Sequence, residues 1–161
     1  EQRYAAAQYE LGMRYNQGEG VDEVYSKAVE WYRKAAEQGY VVAQYELGMH
    51  YYKGEGIGRD FYKAVEWLRT AAEQGYAVAQ YELGMRFYKG EGVGKDFSKA
   101  MEWYQKASEQ ECHNATVAME LLAKVVVANR VQIKMGLFRG ISVVGLFVLI
   151  SLIKMESEQE K

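Results

Sequence analysis

Proline is absent from the 161 residues, and cysteine occurs once, at Cys112. Without proline, every interruption of a helix must come from glycine or from side chains that cap helix ends. One cysteine excludes an internal disulfide framework and any multi-cysteine metal site, and Cys112 reads as a small apolar filler. Histidine is scarce as well: His50 and His113 are the two copies, too few to give zinc its third and fourth ligands. No metal or cofactor is expected. An excess of positive charge is also missing, because 20 basic residues face 22 acidic ones for a net charge of −2. The basic face that phosphate binding requires is therefore lacking, and nucleic acid is set aside as a partner.

What the chain has in quantity is apolar and aromatic surface, with 49% hydrophobic residues and 14 tyrosines. That is enough to bury a core. The tyrosines stop at Tyr104, so the remainder has a different composition. Self-comparison reveals a repeat of 36 residues. Ala7-Gln8-Tyr9-Glu10-Leu11-Gly12-Met13 returns unchanged as Ala43 to Met49 and as Ala79 to Met85. Gly18-Glu19-Gly20 returns at Gly54 to Gly56 and Gly90 to Gly92, and Lys27-Ala28-Val29-Glu30-Trp31 is echoed by Lys63 to Trp67 and Lys99 to Trp103. Glu1-Gln2-Arg3-Tyr4 lies in register with Glu37 to Tyr40, which suggests a piece of a longer array.

Within each unit apolar and small residues recur at spacings of three and four, which predicts two helices and excludes alternating strands. Ala7, Leu11 and Tyr15 form a stripe on the first helix. Ala28, Trp31, Tyr32 and Ala35 form one on the second, and the two stripes are expected to face each other, with the tryptophans buried in equivalent places. Glycine in mid-helix costs about 1 kcal/mol relative to alanine, so its return at Gly12, Gly48 and Gly84 signals a closely passing neighbour. The Gly-Glu-Gly segment supplies the positive φ angles of a helix end and a turn. Its spacing and its glutamate do not suit a phosphate-cradling loop. Asp60 and Asp96 stand where a cap for the second helix is wanted, with Val24 in that place in the first unit.

The A-x-x-L-G-x-x-Y-x-x-G-x-G-V opening and the K-A-x-x-W-Y-x-K-A-A-x-x-G closing of the units resemble the Sel-one-like repeat family, relatives of the tetratricopeptide repeats. The resemblance covers Glu1 to about Leu122 and fades after Glu111, where Glu111 and Cys112 replace the Gly-Tyr pair of earlier units. It implies an all-α, right-handed superhelical solenoid of antiparallel helix pairs that acts as an adaptor or scaffold for a partner protein or peptide, not as an enzyme. Stacked repeats of this kind expose an extended surface suited to peptides and helices. The expected organisation is a repeat region over 1–122, with three full units over 5–112 and a partial unit after them. A linker or capping helix over 123–134, an apolar helix over 135–154 and an acidic tail over 155–161 follow.

Turned away from the Leu11 stripe are Glu10, Arg14 and Gln17, with Glu46, His50, Lys53 and Glu82, Arg86, Lys89 in the same slots of later units. These nine are the candidate protein-binding residues. Slots 14/50/86 and 17/53/89 vary among otherwise near-identical units, which suggests freedom from packing. The alternative is solvated ion pairing, Glu10 with Arg14 and Glu82 with Arg86, worth a few tenths of a kcal/mol. Glu46 and His50 could form half of a metal site, but the sister units carry arginine at the histidine's place, so an ion-pair slot explains them better. Tyr52 and Tyr88 are candidate exposed anchors.

Some cysteine-rich relatives of the resembled family are described as penicillin-binding or β-lactamase-like. These repeats hold none of the paired cysteines, and the one S-x-x-K match, Ser151 to Lys154, lacks the partner motifs of acyl transfer. In the tail, Met135 to Ile153 would span about 28 Å as a helix, close to a bilayer core. A membrane anchor is the favoured reading, with the repeats on the cytoplasmic side by the positive-inside tendency. The alternative is a soluble chain whose apolar helix caps the last repeat.

Overall fold

A computed structural model of the chain describes residues 2–18 and 22–135, which form seven helices and, among the described residues, no strand. They are α1 (Gln2–Asn16), α2 (Asp22–Glu37), α3 (Val41–Lys53), α4 (Phe61–Glu73), α5 (Ala77–Lys89), α6 (Phe97–Ser108) and α7 (His113–Met135). The chain divides into two compact units, Glu1–Leu122 and Ala123–Lys161. In the first, each helix packs on the next, α1 on α2 through to α5 on α6, as an α/α solenoid requires. Residues 123–134 are helical as the second part of α7.

Three recurring devices set this geometry. Glycines 12, 48 and 84 bring paired helices together, because a Cβ at Gly12 or Gly84 would lie 2.7 Å or 2.6 Å from the ring of Tyr32 or Tyr104. The first helices of the second and third units then end on left-handed glycines, Gly54 at φ 80° and Gly90 at φ 78°, whose N–H groups bond the carbonyls of His50 and Arg86. The second glycine of each Gly-Glu-Gly also touches the preceding unit. A Cβ at Gly56 would fall 2.2 Å from the Tyr25 carbonyl carbon, and one at Gly92 would fall 2.1 Å from the Phe61 oxygen. These turns therefore join units as well as punctuate them.

Asp60 and Asp96 cap α4 and α6 as expected: Asp60 accepts from the N–H groups of Tyr62 and Lys63, and Asp96 from that of Lys99. The first unit differs. With no acid at Val24 and with Asp22 where the later units have Gly58 and Gly94, the helix runs three residues further back, to Asp22.

Two packing expectations need correction. The stripe Ala7, Leu11, Tyr15 is not enclosed by its own second helix: Ala7 is exposed and Tyr15 is 37% exposed, with Lys27 of α2 6.0 Å from its ring centre. Its counterparts Ala43, Leu47 and Tyr51 are buried in one core with Ala28, Val29, Tyr32, Ala35 and Ala36 of the preceding unit. The stripe is thus completed by the contact between units, sharing its core with Ala64 of its own second helix, while the glycine side of the helix meets that partner directly. The three tryptophans occupy equivalent places but are half-buried. Lysines cover two of them, Lys34 at 4.0 Å from the Trp31 ring centre and Lys106 at 4.3 Å from that of Trp103.

Among the described residues no helix is long and apolar enough to cross a membrane. The apolar stretch after Met135, the acidic tail and the Ser151 to Lys154 match lie outside the described residues.

Candidate interaction surface of the repeats

The nine slots separate by depth. Glu10, Arg14, Gln17, Lys53 and Lys89 are exposed, Glu46 and Glu82 half-buried, and His50 and Arg86 only 3% exposed. Variation at slot 14/50/86 therefore does not mean freedom from packing. The slot projects between units, where each residue has found its own partners.

Arg86 is held by two carboxylates, Glu82 at 3.0 Å and Glu91 at 2.9 Å, and lies 3.7 Å from the ring centre of Tyr52 in the preceding unit. The pairing of Glu82 with Arg86 is accordingly a buried bond and not a solvated one. Burial raises the stakes, since removing one partner of a buried pair costs about 3 to 5 kcal/mol. His50 behaves otherwise. Its Nδ1 lies 2.8 Å from the carbonyl oxygen of Glu55, and since a carbonyl can only accept, Nδ1 carries the hydrogen. The ring stacks beside Tyr32 and Tyr25, with centroids 5.5 Å and 6.2 Å away. The expected ion-pair slot of Glu46 and His50 is thus occupied by a different bond. Burial holds the imidazole below its ordinary pKa and pushes the Glu46 carboxyl above its own.

A second recurring polar element escaped the sequence reading. Gln8, Gln44 and Gln80 are buried, and each accepts from a glutamine thirty residues on: Gln38 at 2.6 Å, Gln74 at 2.7 Å and Gln110 at 2.8 Å. Gln44 and Gln80 also donate to the carbonyls of Ala36 and Ala72 at the end of the preceding second helix, satisfying acceptors that helix termini leave open. The signal was present. Glutamine returned unchanged in the Ala-Gln-Tyr-Glu-Leu-Gly-Met run, and a polar residue kept three times in an apolar stretch implies a fixed partner.

Along the same helices, Tyr52 and Tyr88 are half-buried and stack on Phe61 and Phe97 at 5.5 Å and 5.7 Å. Beyond Tyr88 the surface opens into an apolar groove of about 350 Å³, walled by Tyr81, Met85, Tyr88 and Tyr104 on one side and by Val117 and Leu121 of α7 on the other. Its origin is legible in the register. Val117, Ala118 and Leu121 stand where the preceding unit has Tyr81, Glu82 and Met85, and the smaller side chains leave room beside the half-buried Tyr81 and Tyr88. Val117 and Leu121 are themselves more than half exposed.

Comparison with known proteins matches this architecture. A model of the Sel1 repeat matches residues 5–40, 41–76 and 77–112. The chain belongs to the Sel1 repeat family. A protective antigen of uropathogenic Escherichia coli strains displaying an SLR fold is 47% identical over 68% of this chain and 23% of its own, with a TM-score of 0.64. A Sel1 repeat protein from Oxalobacter formigenes is 40% identical over 74% of this chain and 49% of its own, with a TM-score of 0.69. The chain thus spans less than half the length of either. Cysteine-rich protein B of Helicobacter pylori, 21% identical over 72% of this chain and 90% of its own at a TM-score of 0.61, shares the fold. No curated protein matches the chain. Sel1 repeat proteins are in general scaffolds for protein interaction.

Proposed function

We propose that the repeats bind a partner protein segment along the first-helix face, with an apolar or aromatic side chain of the partner seated in the groove between Tyr88 and Leu121. The groove is the observation that carries this reading. It has the volume and the aromatic walls of a recognition pocket, and tyrosines that present a flat apolar face with a polar edge are favoured anchors at interfaces. Arg14, Lys53 and Lys89 extend the face with exposed cations, so acidic residues beside the anchor are favoured by charge. Arg86 and His50 shape the scaffold beneath.

A panel of peptides carrying one aromatic residue with acidic or basic flanks tests the assignment on the intact chain. Acidic flanks should bind more tightly, and more so at low salt. Tyr88→Ala should weaken binding about tenfold or more, as for an interface anchor worth more than 1 kcal/mol, while replacing Arg14, Lys53 and Lys89 by alanine should flatten the salt dependence. Equal binding by the variants, with unchanged helical circular dichroism, overturns the proposal. Membrane attachment is a separate proposal that rests on the apolar sequence after Met135 alone, and vesicle flotation of the full chain tests it.

A further inference from the structure

The two slots that bridge successive units are equivalent in register and unlike in chemistry. Arg86 bridges the second and third units as a permanent cation with two carboxylates and a tyrosine ring in contact. His50 bridges the first and second with a neutral ring, 3% exposed, whose hydrogen bond goes to a carbonyl. The groups facing it are Tyr25 and Tyr32 from α2, the Glu55 backbone from the turn, and Glu46 and Lys53 along its own helix. Lys53 pairs with Glu55 at 3.6 Å, so the carboxylate that corresponds to the Glu91 partner of Arg86 is already engaged. The register counterpart of Tyr52, on which Arg86 lies, is the neutral amide Asn16.

We propose that the junction between the first and second repeats is acid-sensitive and loosens when His50 takes up a proton, whereas the junction held by Arg86 is indifferent to pH over the same range. A proton on Nε2 places a charge on a ring that is 3% exposed and near the cation Lys53, while the Glu55 carboxylate that favours the charge is shared with that lysine. Burying an uncompensated charge is costly, so the charged ring is better accommodated once the junction opens. The direction agrees with the electrostatics: burial lowers the folded pKa of His50 below the ordinary 6.5, so the opened or unfolded chain binds the proton more tightly. Stability is then full above about pH 6.5 and declines as the pH falls towards the folded value. Glu46 acts in the opposite sense, because its raised pKa means that protonation relieves the cost of its burial. A histidine-specific test is therefore needed.

Hydrogen exchange of the full chain, compared at pH 7.5 and 5.5 after correction for intrinsic rates, provides it. Peptides from α2 and α3 should exchange at least about twofold faster at the lower pH, while peptides from α5 and α6 should not change. His50→Gln should remove the pH difference and leave Glu46 in place. The same acceleration in His50→Gln, or none in the natural chain, overturns the proposal. Should the variant fail to fold, the imidazole titration of the natural chain decides by itself. His50 must titrate below the ordinary histidine value of 6.5; a midpoint at or above that value refutes it.

Discussion

Left-handed backbone closes the second helix of every unit, and one residue there pays with strain. Gly39 and Gly75 turn the chain at φ 83° and 90°, and Glu111 does the same at φ 61°. The hydrogen bonds around all three match: the N–H after the turn reaches the fifth carbonyl back, from Tyr40 to Ala35, Tyr76 to Ala71 and Cys112 to Ala107. The turn is thus imposed by those bonds whatever residue occupies it. A side chain in this conformation costs about 1 to 2 kcal/mol, offset in part by the extra freedom of glycine in the unfolded chain. Glu111→Gly should therefore raise stability by about 1 kcal/mol in denaturant unfolding, and a loss of stability would show that the carboxylate makes a contact worth more than the strain. Sequence comparison identified this replacement, and it likewise identified the close approach at Gly12, Gly48 and Gly84. It could not identify the fate of slot 14/50/86. Helical periodicity assigns a face to a residue, but whether another unit covers that face depends on stacking that lies outside any single helix.

At the scale of the element, helix starts carry the clearest test. Asp60 caps α4 through two N–H groups and Asp96 caps α6 through one, and each acid also has a lysine three residues on at 3.8 Å. Those lysines are more than half exposed, so the ion pairs add little and the caps dominate. Asp60→Ala should cost about 1 kcal/mol, whereas Asp60→Asn, which keeps the accepting oxygen and removes the charge, should cost much less. Equal losses from the two substitutions would transfer the effect to the ion pair. The first unit shows why the second-helix boundary was only partly legible. The cap was expected at a fixed register position, but helix length also depends on what precedes it. Replacing Gly58 by Asp22 removes a residue that disfavours helix, and α2 begins three residues earlier. The groove beside α7 was hidden for a different reason. Its walls Tyr81, Met85 and Tyr88 are half-buried like Tyr45, Met49 and Tyr52 of the preceding unit, and the groove arises opposite them, where Val117, Ala118 and Leu121 replace Tyr81, Glu82 and Met85 of the repeat pattern.

At the scale of the whole repeat region, stability depends on neighbours along the array, because each unit completes its core against the one before it. Leu11 and Leu47 make this measurable, being the same residue in the same motif. Leu47 is completely buried, in one core with Ala28, Val29, Tyr32, Ala35 and Ala36 of the preceding unit and Ala64 of its own. Leu11 is half-buried, since α1 is the first described helix and none of the described residues corresponds to α2 on its outer side. Cutting Leu47 to alanine deletes buried methyl groups and leaves a cavity, so it should cost about 2 to 5 kcal/mol. Leu11→Ala loses less transfer energy and leaves no enclosed void, and should cost about half as much or less. Denaturant titration of both variants under one set of conditions compares them directly. Equal costs would mean that the intrinsic stability of each helix pair outweighs the contact between units. A large cost at Leu47 with a small one at Leu11 would place the cohesion of the fold at the unit-to-unit contacts, where His50, Arg86 and the bonds from Gln44 and Gln80 to the preceding helix also lie.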